Sequence, residues 1–60
     1  MNKKELIINV ISTGSHKLQS ILGACANDYN EEIKVINSLC ELIQENKVSY
    51  NPQKEMYFIK

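Results

Sequence analysis

The sequence predicts a small α+β domain that is mostly α-helical and ends in a β-hairpin. Two observations support this fold class. Apolar residues recur every three or four positions in three segments before Asn46, and the period changes to two after it. Sixty residues allow a single domain, residues 1–60, and a chain of this length hides only about 60% of the surface that it exposes when unfolded.

The third segment, from Asn30 to Asn46, has the sharpest separation of apolar and polar residues. On a helix with 3.6 residues per turn, one half of the cylinder is apolar and consists of Ile33, Val35, Ile36, Leu39, Cys40, Leu42 and Ile43. We expect the rest of the chain to bury this half-cylinder, because an amphipathic helix gains most of its stability from packing. Two residues qualify as its N-cap, Asp28 with Glu31 three positions later, or Asn30 alone.

The first helix is predicted to begin at Asn2, with Glu5 in the position that completes a capping box. Its apolar face comprises Leu6, Ile7, Val10 and Ile11. Gly14 supplies the C-terminal stop. Ile8 lies off the apolar face and is therefore the first position at which we would look for a dimer contact.

A second helix is predicted from about His16 to Ala26, opened by Ser15. Gly23 lies inside it and costs about 1 kcal/mol relative to Ala. Such a glycine indicates either close approach of a neighbouring helix or a ragged helix end.

The last fourteen residues alternate in the manner of strands. Lys47–Asn51 is the first strand, Asn51–Lys54 reads as a turn with proline in its second position, and Met56–Ile59 is the second strand. An isolated hairpin is marginally stable in water, so it must lie on the helices. A short third strand at Thr13–His16 is a candidate for its edge.

Composition excludes several classes of function. The net charge is zero, with seven lysines and seven acids, and no disulfide framework, zinc spacing or catalytic motif is present; we expect no cofactor, no metal and no enzymatic activity. The apolar cluster at residues 7–11 is too short to span a membrane, so no membrane partner and a cytoplasmic location are expected. Self-association into a homodimer would let so short a chain hide more apolar surface.

The order of the elements, together with particular residues, resembles the winged helix-turn-helix family. The apolar positions of the family's second helix are matched by Leu18, Ile21 and Leu22, and those of its third helix by Ile36, Leu39, Cys40 and Ile43. The segment Asn46–Tyr50 lies where the family passes from the third helix into the first strand of the wing. The whole wing would be Val48–Ile59. Lys47 departs from the family pattern, because many members carry a glycine there. The left-handed helix stop is therefore expected at Asn46.

This resemblance implies a small transcription regulator that binds double-stranded DNA. The exposed face of the third helix would enter the major groove while the wing touches the backbone or the minor groove. The implied base-reading residues are Lys34, Asn37, Ser38 and Glu41. The implied phosphate contacts are His16, Lys17, Lys47, Lys54 and Lys60.

Charge favours an alternative use of the same fold. The region of the third helix brings one lysine, Lys34, against Glu31, Glu32, Glu41 and Glu45, and carboxylates facing phosphates oppose DNA binding. The second hypothesis is therefore a protein-interaction module, an adaptor or inhibitor of the kind found among phage and mobile-element accessory proteins, which uses the acidic third-helix face or the apolar surplus at Ile8. Lysines clustered beside the third helix would favour DNA, and dispersed lysines would favour protein.

Overall fold

A computed structural model describes residues 2–60 and confirms the predicted fold class. Three helices precede an antiparallel hairpin. The elements are α1 (Lys3–Ser12), α2 (Leu18–Cys25), α3 (Tyr29–Gln44), β1 (Val48–Asn51) and β2 (Met56–Ile59).

Asn2 caps α1 and Gly14 ends it, as predicted, but the Glu5 side chain does not complete the predicted capping box. The Asn2 side chain accepts a hydrogen bond from the Glu5 backbone N–H at 2.8 Å, which caps the N-terminus. At the other end Gly14 has a φ of +110°, and the backbone N–H groups of Gly14 and Ser15 donate to the carbonyl groups of Ile11 and Val10. This is the Schellman arrangement, which favours glycine because its central residue has a positive φ.

The start of α2 differs from the prediction. The helix begins at Leu18 and not at His16, and Ser15 does not cap it; Lys17 occupies the N-cap position without a side-chain hydrogen bond. The helix starts later because His16 forms two hydrogen bonds with Tyr57 of β2 and is therefore not part of the helix. In the described part of the chain, no neighbouring helix lies close to Gly23, since a Cβ placed there would have no atom within 4 Å.

The structure also decides how α3 begins and ends. Asp28 is the N-cap, and its side chain accepts from the Glu31 backbone N–H at 2.9 Å. Asn46 has a φ of 67° and forms the C-terminal stop, as predicted. The N–H groups of Asn46 and Lys47 donate to the carbonyls of Ile43 and Leu42, which repeats the Schellman arrangement with asparagine in the left-handed position.

The hairpin pairs Val48 with Ile59 and Asn51 with Met56, so its loop is residues 52–55. The predicted third strand is not present among the described residues, and one residue takes its place at the edge of β2. The Tyr57 N–H donates to the His16 carbonyl at 2.7 Å, and His16 Nδ1 lies 2.9 Å from the Tyr57 carbonyl oxygen. These two contacts join the α1–α2 connection to the sheet.

One core lies between the three helices and β1. Its buried members are Ile7, Ile11, Ile21, Cys25, Val35, Leu39, Leu42 and Val48. The expectation that the whole apolar half of α3 is buried is wrong. Only Val35, Leu39 and Leu42 are covered, because α1, α2 and β1 pack against one side of the helix. Ile8 packs partly against the core and is not a free apolar surface.

Leu39→Ala tests the assignment of the buried side of α3. Leu39 is 2% exposed and Ile36, on the same helix, is 41% exposed. We expect Leu39→Ala to lower the free energy of unfolding by about 2 to 5 kcal/mol, and Ile36→Ala by less than about 1 kcal/mol. Urea denaturation followed by circular dichroism measures both. Equal losses would contradict the assignment.

The two glycines form a matched pair of tests. A methyl group at either position would meet open space, but only Gly14 has a positive φ. Gly23→Ala should raise the free energy of unfolding by about 0.5 to 1 kcal/mol, because it removes unfolded-state freedom without strain. Gly14→Ala should lower it by about 1 to 3 kcal/mol through backbone strain. Opposite signs in denaturant melts are expected; the same sign would refute this account.

Candidate functional site

The third helix presents three different sides. One is buried in the core and carries Val35, Leu39 and Leu42. A second side is apolar and exposed, and we call it the apolar seam: Tyr29, Ile33, Ile36, Cys40 and Ile43. The third, the polar side, carries Lys34, Asn37, Ser38, Glu41 and Glu45.

Members of the apolar seam follow one another at spacings of four, three, four and three residues. This is the heptad spacing with which helices pack against each other in coiled coils. Tyr29 is 74% exposed, Ile33, Ile36 and Ile43 are each about 40% exposed, and Cys40 is an exposed free thiol. The exposed apolar side of α3 therefore has the residue spacing of a coiled-coil surface.

Two aromatic residues of the hairpin, Tyr50 and Tyr57, pack against each other. Burial raises the pKa of the Tyr57 hydroxyl, and nearby Tyr50 and Cys40 add to the increase. The Tyr50 and Tyr57 rings lie 4.7 Å apart, and Tyr50 is 43% exposed. The hairpin therefore has an exposed aromatic side chain of its own, in addition to the apolar seam of α3.

Two consecutive lysines of α1 form ion pairs with glutamates of α3, away from the seam. Lys3 Nζ lies 2.8 Å from Glu31 Oε2 and also donates to the Cys25 carbonyl at the end of α2. Lys4 Nζ lies 3.1 Å from Glu41 Oε1 and 2.8 Å from Glu45 Oε2. Because Glu31 and Glu45 are about 21 Å apart along the helix, Lys3 and Lys4 reach in opposite directions. The first turn of α1 therefore lies, along the axis of α3, between Glu31 and Glu45.

The predicted base-reading residues are brought together on the polar side of α3, beside the glutamates that pair with Lys4. Lys34 and Asn37 are exposed, Ser38 is half-buried, and Glu41 is paired with Lys4. The acidic face that the alternative hypothesis invoked is also engaged, since three of its four glutamates pair with Lys3 or Lys4.

The predicted phosphate contacts are dispersed. Lys47 and Lys60 lie together at the base of the hairpin, where Lys60 Nζ donates to Asn46 Oδ1 at 2.6 Å. Lys54 is in the loop at the other end, and Lys17 borders a shallow depression with Glu55 and Tyr50.

His16 has a structural position. It bonds to Tyr57, and its ring centroid lies 4.7 Å from that of Phe58. The half-buried imidazole therefore holds the hairpin in place.

Other kinds of site find no support in residues 2–60. No group of three or more His, Cys, Asp or Glu side chains there is placed to hold a metal ion. Burial raises the pKa of the Cys25 thiol, and Cys25 and Cys40 are both free. None of the helices described is long and apolar enough to cross a membrane.

No family model, curated protein or solved structure matches this chain. Membership of the winged helix-turn-helix family therefore stays a prediction, and the functional argument depends on the residues themselves.

The apolar seam was missed as a site by the sequence interpretation. The sequence pattern places Ile33, Ile36, Cys40 and Ile43 in the buried half-cylinder, and Tyr29 lies outside the predicted segment from Asn30 to Asn46. The four-three-four-three spacing is visible in the sequence and could have indicated a second packing surface.

Glu45 and Lys4 predict how stability depends on pH. The hydrogen bond from Lys4 lowers the pKa of Glu45 from its usual 4.5, and the bonds to Glu45 and Glu41 raise the pKa of Lys4 from 10.5. The Glu45 contribution is present above pH 4.5 and is lost as the pH falls through the lower folded-state pKa. The Lys4 contribution is present below pH 10.5 and is lost as the pH rises through the higher folded-state pKa.

Glu45→Gln should therefore unfold at a lower urea concentration than the wild type at pH 7, and the two midpoints should converge once the pH has fallen below the folded-state pKa of Glu45. Glu55→Gln, which removes an acid that makes no ion pair within residues 2–60, is the control and should leave the midpoint at pH 7 nearly unchanged. The difference for Glu45→Gln should shrink in about 1 M salt, because these groups are exposed. A difference that persists at low pH would contradict the assignment.

Proposed function

We propose that this chain is a protein-interaction module with a winged-helix-like architecture, and that it binds another protein through the apolar seam of α3. The observation that carries the proposal is the exposure of Tyr29, Ile33, Ile36, Cys40 and Ile43 at heptad spacing on the longest helix. An amphipathic helix docks on a partner through residues at these spacings.

The physical argument is the cost of leaving this surface in water. Apolar side chains gain about 25 cal/mol for each Å² removed from solvent, and contiguous exposed apolar patches mark interaction sites. The chain has already used α1, α2 and β1 to cover the other apolar side of α3. Within residues 2–60 these three elements leave the seam exposed, and burial against a partner would remove it from water.

The arrangement of charges supports a protein partner over DNA. DNA affinity comes largely from cations placed along phosphates. Here Lys3 and Lys4 are paired with glutamates, Lys47 and Lys60 lie at one end of the hairpin, and Lys54 lies at the other. The dispersion is the one expected for a protein-binding module. DNA binding through Lys34, Asn37, Ser38 and Glu41 remains a separate prediction with its own test below.

Site-specific photocrosslinking in the cells that express the chain tests the proposal. A photoreactive phenylalanine analogue replaces Ile36 in the seam or, as the matched control, Lys34 on the polar side; these positions are about 160° apart around the helix. We expect a discrete protein adduct at position 36 and none at position 34. Absence of an adduct at position 36, with the variant folded, would refute the proposal.

Binding to random duplex DNA, measured by fluorescence anisotropy across a salt series, tests the DNA alternative. Non-specific DNA binders have dissociation constants of about 10⁻⁴ to 10⁻⁶ M at physiological salt, and their affinity increases as salt is reduced. We expect no binding in this range even at low salt, and no effect of Lys34→Ala. Salt-dependent binding that Lys34→Ala weakens and the charge-neutral Ile36→Ala leaves unchanged would favour the DNA function and overturn the proposal.

A further inference from the structure

We infer that the occupant of the apolar seam is a second copy of this chain, with the two α3 helices packed antiparallel. This inference rests on the proposed function and names its partner. It is argued from the order of residues along the seam, the charges beside it and the size of the core.

The seam is complementary to itself. Ile33, Ile36, Cys40 and Ile43 are separated by three, four and three residues, and the same spacings are read from either end. Two antiparallel copies therefore match layer by layer, with Ile33 against Ile43 of the second copy and Ile36 against Cys40 of the second copy. The two-fold axis crosses the interface midway between Ile36 and Cys40, at the level of residue 38 along the helix. Such an isologous contact is the usual form of a homodimer interface.

Uncharged residues border the seam on its polar edge. In the heptad positions beside it stand Asn30, Asn37 and Gln44, all amides that both donate and accept hydrogen bonds. Near the two-fold axis, Asn37 would face Asn37 of the second copy, and a pair of amides can satisfy each other. The glutamates Glu41 and Glu45 are turned away, towards Lys4.

Charge also favours the antiparallel orientation. The chain has seven lysines and seven acids, so two copies carry no net repulsion. Glu31 and Glu32 are in the first turn of α3. An antiparallel arrangement separates these acidic turns and places the helix dipoles in opposite directions, whereas a parallel arrangement would bring like ends together.

The small core gives the chain a reason to dimerise. Eight side chains are buried, both cysteines are free, and no metal cluster is present in the part of the chain that the structure describes. Domains of this size commonly add disulfides, a metal or oligomerisation to an insufficient core. Of these, oligomerisation through the seam is the one that the described residues provide for.

Sedimentation equilibrium of the purified chain is the first arm of the test. The monomer mass is 6.9 kDa, and we expect a concentration-dependent rise towards twice this value, with a dissociation constant of about 10⁻⁶ to 10⁻⁴ M, as is typical of small interfaces. Ile36→Lys should weaken association at least tenfold. Gln53→Lys, which adds the same charge in the hairpin loop, should leave it unchanged. A wild type that remains monomeric up to about 1 mM would overturn the inference.

Thiol pairing is the second arm, and it tests orientation without a disruptive charge. In a Cys40→Ala background, Ile33→Cys and Ile43→Cys variants are prepared separately, mixed, and oxidised, and the disulfides are identified by mass spectrometry. We expect a mixed disulfide between positions 33 and 43. Disulfides that form only between identical positions would indicate a parallel pair and overturn the antiparallel assignment.

The mass of the crosslinked adduct at position 36 separates the two proposals. An adduct of twice the chain mass supports both. An adduct of another mass, together with a monomeric purified chain, overturns the dimer and leaves the interaction module standing. No adduct and no self-association would overturn both.

Discussion

Burial of Val35, Leu39 and Leu42 is the constraint on which the rest of the structure depends. These side chains meet the apolar faces of α1 and α2 and the first residue of β1, and together they make up the centre of an eight-residue core. Once this side of α3 faces inward, the rotation of the helix about its axis is determined. The seam must then face outward beside the hairpin, and the polar side must face the start of α1.

Lys3 and Lys4 add little to the free energy of folding, but their contacts bear on how α1 is oriented against α3. Exposed ion pairs are worth little individually, since solvent and salt screen them. Lys3, however, contacts the end of α2 and the start of α3, while Lys4 contacts the last turns of α3. Because these contacts lie at opposite ends of one helix, they fix the angle at which α1 crosses it. The same contacts withdraw three carboxylates and two ammonium groups from interactions with a partner.

The sequence predicts most of the fold because helix ends depend on local chemistry. Asn2 and Asn46 were identified from residue type alone, and both act as predicted. The start of α2 could not be predicted, since it depends on hydrogen bonds between His16 and Tyr57, which are 41 positions apart. The seam was misread for a related reason. Periodicity identifies apolar positions, but the number of neighbours available to cover them is a property of the whole chain.

The separation of the three sides of α3 has a consequence for how such a protein can evolve. Core residues and seam residues occupy different positions of the same helix, so substitutions at Ile33, Ile36 or Ile43 leave the packing of Val35, Leu39 and Leu42 intact. The outward apolar positions can therefore change while the fold is conserved. Related chains would share the inward positions of α3 and diverge at the outward apolar ones.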